Sequence, residues 1–366
     1  AMDFPKDGNT LVIDGGDTLQ GSPLTYYCYA EGLPMPCARV MNAMGYDYVT
    51  LGNHDFNYGI APIRAHLETL NAHCLCANVT DSTGQLPIAP YAVRTLANGL
   101  RVGLVGGITS WVNRWEKSEN LTGLTVEDPY PAMREAALLL RGQVDILIGI
   151  YHGGFEKDVD TGRLLSQTDE NIAARLCEEL PFDILLTGHQ HIAMAGKTYR
   201  GVHVAQTPCN GAAYIKLTVD ESGAIHSELC TPKLPARLDP WAQMLYADLN
   251  RWLDRPIGRL SMALMPSGKL DMALHGSPIA RFFNMVQLAA SGADVSSTAL
   301  GNEVRGFEVA VTVRDVVASY TYSNTLVVLR VTGAVLRQAL EQCATYFAVD
   351  AQDGVGIKET FLRPKA

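Results

Sequence analysis

The stretch Thr10-Leu-Val-Ile-Asp-Gly-Gly-Asp17 sets the pattern from which we predict the fold. Its apolar run is typical of a short buried β-strand, and the glycine-containing turn that follows ends the strand. Asp17 would then stand at the carboxyl end of this strand. In open α/β sheets the loops at this end converge on a crevice, and ligands bind there.

The same arrangement occurs three more times in the first 191 residues. Each time an apolar run leads into a turn that contains glycine and an Asn or His side chain. Because the carboxyl ends of parallel strands meet at one edge of a sheet, we expect these side chains to lie together with Asp17. The runs are residues 48–51 before Asn53 and His54, residues 145–150 before His152, and residues 183–186 before His189 and His191.

The composition suits some classes of protein and excludes others. A length of 366 residues suits two domains, with a real core in each. The net charge of −9 argues against a nucleic-acid polymer as partner, since a surface that binds a phosphate backbone needs clustered Lys and Arg. No apolar run reaches the ~18 residues that a membrane span needs, so no membrane span is predicted.

Helical and strand patterns alternate along the first part of the chain. Helical periodicity occurs at residues 36–44, 60–70, 131–141 and 170–180, between the strand-like runs. This alternation predicts a layered α/β fold in which helices cover both faces of the sheet structure.

The organisation changes at a Pro-rich stretch, residues 231–240, which a helix at residues 240–253 follows. We predict a first domain at residues 1–230, a linker with a connector helix at residues 231–274, and a second domain at residues 275–366. In the second domain we predict helices at residues 278–290, 313–320 and 333–346, and strands near residues 295–299 and 325–331.

The predicted cluster contains Asp, Asn and His but no Cys. This set suits borderline divalent ions such as Mn²⁺, Zn²⁺, Fe or Co²⁺. A carboxylate can bridge two such ions, and the pair can clamp a phosphoryl group and generate a hydroxide at neutral pH. A remaining His can protonate the leaving oxygen. The residues therefore indicate metal-dependent hydrolysis of a phosphoester.

Four blocks resemble the successive blocks of the calcineurin-like metallophosphoesterases, in the same order. Within that superfamily, residues 14–23 and 51–59 are similar to the 5′-nucleotidase family, especially its 2′,3′-cyclic-nucleotide 2′-phosphodiesterase branch. The resemblance implies a layered α-β-β-α metallophosphoesterase domain, followed by a partial α/β nucleotide-recognition domain. The blocks are Gly16-Asp17, Gly52-Asn-His-Asp55, His152-Gly153 and Gly188-His-Gln-His191.

The resemblance also implies two divalent metal ions in the intact protein. The family's opening Asp-x-His block is absent from the sequence, so one of the two sites is expected to be incomplete. We therefore expect a truncated chain with little phosphoesterase activity of its own. The implied ligands are Asp17 between the two ions, Asn53, His152 and His189 on one ion, and His191 on the other.

A catalytic pair is implied by the same resemblance. His54 would face the phosphate, and Asn57 stands where many 5′-nucleotidases have an Asp that orients this histidine. An amide can hydrogen-bond an imidazole, but it cannot stabilise the imidazolium cation as a carboxylate does. His54 and Asn57 are therefore the predicted catalytic residues.

The second domain resembles the family's nucleotide-binding domain at two turns. Arg305 stands in a Gly-containing turn, and Tyr322 and Asn324 stand where the family places an aromatic residue and an Asn that hold the base. A flat ring and a polar group are what base recognition requires. We predict these three residues as substrate-binding. The Trp-rich segment at residues 111–115 is interpreted instead as a loop packed on the sheet.

The leading hypothesis is a metal-dependent hydrolase of nucleotides, either a 2′,3′-cyclic-nucleotide phosphodiesterase or a 3′- or 5′-nucleotidase. The alternatives are a hydrolase of another phosphoester or of a sulfur ester, and a non-catalytic nucleotide-binding protein. The localisation is left open. Members of the family are often exported, whereas the eight dispersed Cys favour a reducing compartment.

Overall fold

A computed structural model of the chain describes residues 6–233, 239–300, 304–320, 325–350 and 354–358. By its internal contacts the chain divides into two compact units, Ala1–Leu238 and Asp239–Ala366. This division places the helix Pro240–Leu253 in the second unit.

Two β-sheets form the centre of the first unit. The smaller sheet is parallel throughout. Its four strands, in spatial order, are Ile13–Asp14, Tyr48–Val49, His73–Leu75 and Ile88–Ala89.

The larger sheet has four parallel inner strands and an antiparallel strand at each edge. Its inner strands read as continuous apolar runs because both faces of the sheet are covered. The six strands, in spatial order, are Met194–Tyr199, Val202–Gln206, Ile184–Thr187, Ile146–His152, Arg101–Ile108 and Tyr91–Thr95. Two further antiparallel pairs are Val79–Asp81 with Leu124–Val126, and Tyr214–Val219 with Ile225–Cys230.

The two sheets pack face to face through a shared apolar core. Tyr48 and Leu75 from the smaller sheet belong to one buried cluster with Leu104, Ile148 and Ile150 from the larger sheet. Side chains alternate between the faces of a strand, so each sheet also presents an outer apolar face that must be covered.

Helices cover both outer faces. Cys37–Met44 and Ile60–Thr69 pack on the smaller sheet, in a cluster that includes Val49 and Cys74. Pro129–Arg141 and Ala173–Glu179 pack on the larger sheet. The predicted α-β-β-α layering is thereby confirmed.

The helix Pro129–Arg141 illustrates why these segments are helical. The Asp128 side chain accepts a hydrogen bond of 2.9 Å from the Tyr130 backbone N–H, and a proline occupies the first turn, where its missing N–H costs nothing. The buried residues recur at helical spacing, as Met133, Ala136, Ala137 and Leu140. The other helical segments of this unit are Pro23–Ala30, Asn53–Tyr58, Val112–Trp115 and Ser118–Leu121.

The second unit is also mixed α/β. Its buried cluster contains Ile279, Phe283, Phe307 and Val311. The helices are Pro240–Leu253, Lys269–His275, Pro278–Ser291, Val313–Ser319 and Gly333–Ala344. The strand pairs are Pro256–Arg259 with Ala310–Thr312, and Phe347–Asp350 with Gly354–Ile357.

The two strands predicted in the second domain were wrong. Neither residues 295–299 nor residues 325–331 form a strand. Their β-branched composition favours extended backbone, but a strand requires a neighbouring backbone to bond with, and within the described ranges neither segment pairs with one. Leu326 and Leu329 are accordingly exposed by 50% and 73%.

None of the helices in the described ranges has the length and apolar character needed to cross a bilayer.

The eight cysteines are all free, and four of them, Cys28, Cys74, Cys76 and Cys177, are buried. Burial raises the pKa of the Cys76 thiol to about 12, so this side chain behaves as a small apolar residue.

Candidate metal centre

The carboxyl ends of both sheets supply the side chains of one polar cluster. Asp17 follows the strand Ile13–Asp14, and Asn53 begins the short helix after Tyr48–Val49. His152 is the last residue of its strand, and His189 comes two residues after another strand of the larger sheet. The structure thus brings two ligand-type residues from each sheet together.

The atoms of these residues that face one another are spaced as neighbouring ligands of one metal ion are. His152 Nε2 is 3.1 Å from Asp17 Oδ2 and 3.2 Å from Asn53 Oδ1. His189 Nδ1 is 2.9 Å from the same Asn53 oxygen. Ligand bonds of about 2.1 Å place neighbouring ligands about 3.0–3.4 Å apart at octahedral or tetrahedral angles.

Each histidine is fixed by its other nitrogen. His152 Nδ1 donates to the Gly15 carbonyl oxygen at 2.6 Å, and His189 Nε2 donates to Glu170 Oε1 at 3.0 Å. Both acceptors can only receive a proton, so the inward nitrogen of each neutral ring carries a lone pair. These lone pairs face oxygen atoms, an arrangement that either a proton or a bound cation between the two atoms would stabilise.

The donor set fits a divalent metal ion. Oxygen and imidazole nitrogen suit Mn²⁺, Zn²⁺, Fe or Co²⁺, and metal-binding histidines commonly donate their second N–H to a carbonyl or carboxylate, as both do here. Across the described ranges, no group of three or more His, Cys, Asp or Glu could hold an ion by itself. The candidate set includes an amide oxygen, that of Asn53, beside one carboxylate and two imidazoles.

The electrostatics of the cluster show the same need for positive charge. Burial opposes protonation of His152, but the adjacent Asp17 carboxylate outweighs burial and raises the pKa of His152 to about 9. Burial likewise opposes ionisation of Asp17, yet the His152 cation and then His54 hold the pKa of Asp17 well below its usual range. For His189 the effect of burial is the larger one: burial lowers its pKa, although the hydrogen bond to Glu170 raises it.

Asp55 joins the two loops of the smaller sheet. Its buried carboxylate accepts hydrogen bonds of 2.7–3.0 Å from the backbone N–H groups of Gly52, Asp17, Thr18 and Leu19. These four bonds fix the loop that carries Asp17 against the loop that carries Asn53. Burial and the nearby Asp17 charge raise the pKa of Asp55 to about 6.

Close approach of the backbones also requires glycine at two positions. A Cβ at Gly16, whose φ is +93°, would lie 2.6 Å from the Gly52 nitrogen and 2.9 Å from His152 Nδ1. A Cβ at Gly52 would overlap the Asp17 carboxylate. Two non-glycine residues of the cluster also have positive φ values, of 63° for Asp17 and 69° for His189. Such backbone strain concentrates at functional sites.

His54 lies beside the cluster and is held by a separate chain of hydrogen bonds. Its backbone N–H donates to Asp17 Oδ1 at 2.7 Å, and its Nδ1 is 2.8 Å from Asn57 Oδ1. The Asn57 amide in turn donates to Glu116 Oε2 at 2.6 Å. The predicted pair of His54 and Asn57 is therefore in contact, with a carboxylate behind it.

The Trp-rich segment forms part of the wall of the site. The Trp115 ring stacks on His189 at 5.3 Å between centroids and is 45% exposed. Trp111 Nε1 donates to Asp169 at 2.7 Å, next to the Glu170 that holds His189. Val112 is buried in the core. The segment contains a short helix, Val112–Trp115, where a loop was predicted; it packs on the protein through Val112 and presents the Trp115 ring at the site.

His191 is exposed, and it takes no part in the hydrogen bonds that connect Asp17, Asn53 and the two histidines. Arg305 is exposed in the second unit. Tyr322 and Asn324 lie outside the described residues.

Sequence reasoning missed Glu170, Glu116 and the linking role of Asp55. Asp55 could have been found, because it directly follows the Asn-His pair in the second block. Glu170 and Glu116 stand in loops without a strand-end pattern, and only the folded loops bring them to the site. Fold and site together define a layered α/β protein with a metal-type centre at the strand ends.

Comparison with known families identifies the class. The family model described as "Calcineurin-like phosphoesterase" matches residues 3–193, and the one described as "5′-nucleotidase, C-terminal domain" matches residues 257–359. The chain belongs to the calcineurin-like phosphoesterase family, which confirms the resemblance read from the four sequence blocks. Members of this family bind divalent metal ions.

Individual relatives are nucleotide phosphoesterases. The chain is 31% identical over 216 residues to the trifunctional nucleotide phosphoesterase protein YfkN of Bacillus subtilis, a match that covers 54% of this chain and 14% of that protein. It is 29% identical to the 2′,3′-cyclic-nucleotide 2′-phosphodiesterase/3′-nucleotidase of Salmonella typhimurium, over 56% of this chain and 33% of that one. The chain thus spans a third or less of these two relatives.

A solved structure matches most of the chain. A Staphylococcus aureus protein assigned as a 5′-nucleotidase superposes with a TM-score of 0.86 at 33% sequence identity. The match covers 97% of this chain and 71% of that one. The order of a phosphoesterase domain before a 5′-nucleotidase C-terminal domain is therefore established for this chain.

Proposed function

We propose that this chain is a metal-dependent phosphoester hydrolase that acts on nucleotides. The observation that carries the proposal is the pair of histidines whose outer nitrogens are bonded and whose inner nitrogens face the Asn53 oxygen, beside Asp17. Asp17, Asn53, His152 and His189 would hold one divalent ion. Such an ion supplies Lewis-acid polarisation of a phosphoryl oxygen.

His54 would handle the proton. Because its Nδ1 is bonded to Asn57, Nε2 is the atom that can carry a proton to a leaving oxygen. The backbone bond from His54 to Asp17 fixes the distance between this ring and the metal ligands. His54 thus contacts Asp17 through its backbone and Asn57 through its ring.

The finer features are proposals from the family resemblance. Asp17 and His191 would hold a second ion, and the native metal would be Mn, Zn, Fe or Co. A nucleotide substrate is supported by the names of the relatives and by the second matched domain. Arg305, Tyr322 and Asn324 would contact it.

The test measures metal and turnover together. The purified chain is loaded with Mn²⁺, Zn²⁺ or Co²⁺, its metal content is measured by mass spectrometry, and hydrolysis of 2′,3′-cyclic AMP, 3′-AMP and 5′-AMP is assayed. We expect chelation to abolish hydrolysis and metal to restore it. A metal-loaded chain that binds nucleotides without cleaving any of them would instead support the binding-protein alternative.

A further inference from the structure

Glu116 uses both carboxylate oxygens at the edge of the site. Oε2 accepts from the Asn57 side-chain amide at 2.6 Å. Oε1 accepts from the Asn120 side-chain amide and from the Lys117 backbone N–H, each at 2.8 Å. Glu116 is half-buried and directly follows the short helix Val112–Trp115. Its carboxylate is therefore held in one orientation by three donors.

This orientation decides which end of the Asn57 amide meets His54. A carboxylate only accepts hydrogen bonds, so the Asn57 NH₂ group must face Glu116. The Asn57 oxygen then faces His54 Nδ1, at 2.8 Å. An amide oxygen also only accepts, so His54 must carry its proton on Nδ1 when the ring is neutral.

We propose that Glu116 is a positioning residue for His54 that acts through the Asn57 amide. The carboxylate sets the amide, and the amide sets the tautomer and the orientation of the ring. Glu116 itself touches neither the metal ligands nor the reacting atoms. Its catalytic consequence rests on the proposed function, whereas its effect on the tautomer does not.

The first test removes the carboxylate. Without Glu116 the Asn57 amide can rotate and present its NH₂ group to His54, which then has to accept at Nδ1. We expect Glu116→Ala to lower kcat about 10-fold, as loss of an outer hydrogen-bond partner does, with KM and bound metal unchanged. Glu119→Ala is the matched control, because this exposed carboxylate lies in the same segment. Equal losses in both variants would overturn the proposal.

The second test exchanges amide and carboxylate. Asn57→Asp alone places two carboxylates 2.6 Å apart, where they repel. Adding Glu116→Gln restores a donor and an acceptor, with the direction of the bond reversed. We expect Asn57→Asp to lose about 10-fold or more in kcat and the double variant to recover most of it. A merely structural Glu116 predicts no such rescue, and full activity of Asn57→Asp alone would also overturn the proposal.

The third test reads the tautomer without any assay of turnover. The chain is labelled with ¹⁵N-histidine and loaded with Zn²⁺, and spectra are recorded at pH 8, where an ordinary imidazole is neutral. The His54 signals are assigned by comparison with His54→Gln. We expect the Nδ1–H form in the wild type and a gain of the Nε2–H form in Glu116→Ala. An unchanged tautomer would refute the inference. A shifted tautomer in a chain that hydrolyses nothing would leave the inference standing and the proposed function refuted.

Discussion

At the scale of single residues, Asn53 is the residue that contacts both histidines of the cluster. One amide oxygen faces an inward nitrogen from each of two histidines, at 3.2 and 2.9 Å. An amide oxygen has two lone pairs and no charge, so it can bind an ion without adding to the negative charge of Asp17. His54, the next residue, points its ring to a different network.

The neighbouring positions of ligand and proton carrier predict separable defects. His54→Ala should lower kcat by about 10²–10⁴-fold, as loss of a general acid does, and leave bound metal intact. Asp17→Asn should lower metal content and activity together, because a neutral amide is a weaker ligand than a carboxylate. Metal content and kcat are measured on the same preparations. Loss of metal in His54→Ala would remove the role assigned to that residue.

At the scale of secondary-structure elements, the helix Ile60–Thr69 buries a histidine. His66 is 5% exposed, and its Nδ1 has no hydrogen-bond partner among the described residues. Burial disfavours the charged ring and lowers the pKa of His66 from 6.5 to about 4. The unfolded chain therefore takes up a proton at a higher pH than the folded chain does.

The sign of the resulting pH dependence follows directly. Above about pH 6.5 the ring is neutral in both states, and burial of His66 does not reduce the free energy of unfolding. As the pH drops from 6.5 towards 4, the unfolded chain binds a proton that the folded chain does not, and the free energy of unfolding falls. Between pH 7 and pH 5, the free energy of unfolding should fall by about 2 kcal/mol less in His66→Leu than in the wild type. Urea unfolding at the two pH values measures it. His73→Leu, at an exposed position, is the control, and an unchanged pH dependence in His66→Leu would contradict the expectation.

Elements with strong local signals could be predicted from the sequence. The helix Pro240–Leu253 has the bounds that were predicted for it. Its start has a clear signal, since Asp239 caps it and a proline occupies its first turn. The strand-end ligands also followed from pattern, since parallel strands deliver their carboxyl ends to one edge. Glu116 was not predicted as a site residue because it lies in a loop with no strand-end pattern. Glu170 was missed because residues 170–180 were predicted as helix, whereas the helix is Ala173–Glu179 and Glu170 lies in the loop before it. The segment 325–331 was misassigned because β-branched composition does not supply a partner strand.

At the scale of the whole molecule, substrate choice is expected to depend on the second unit. Arg305→Ala should raise KM for a nucleotide about 10-fold, roughly the value of one charge-assisted hydrogen bond. The same variant should leave KM for a small aryl phosphate unchanged, because that substrate has no base or ribose. Arg259→Ala, another exposed cation of the second unit, is the control. Equal losses on both substrates would point to damaged folding instead of lost recognition.

The origin of the four clustered side chains has a consequence for the folded state itself. Two of them belong to one sheet and two to the other, so a bound ion would add a crosslink between layers that are also joined by an apolar core and by the hydrogen bond from His152 to Gly15. The ion would be released when the two layers separate, so its binding free energy would add to the free energy needed to separate them. Starvation for the ion would then shorten the lifetime of the protein as well as slow its chemistry.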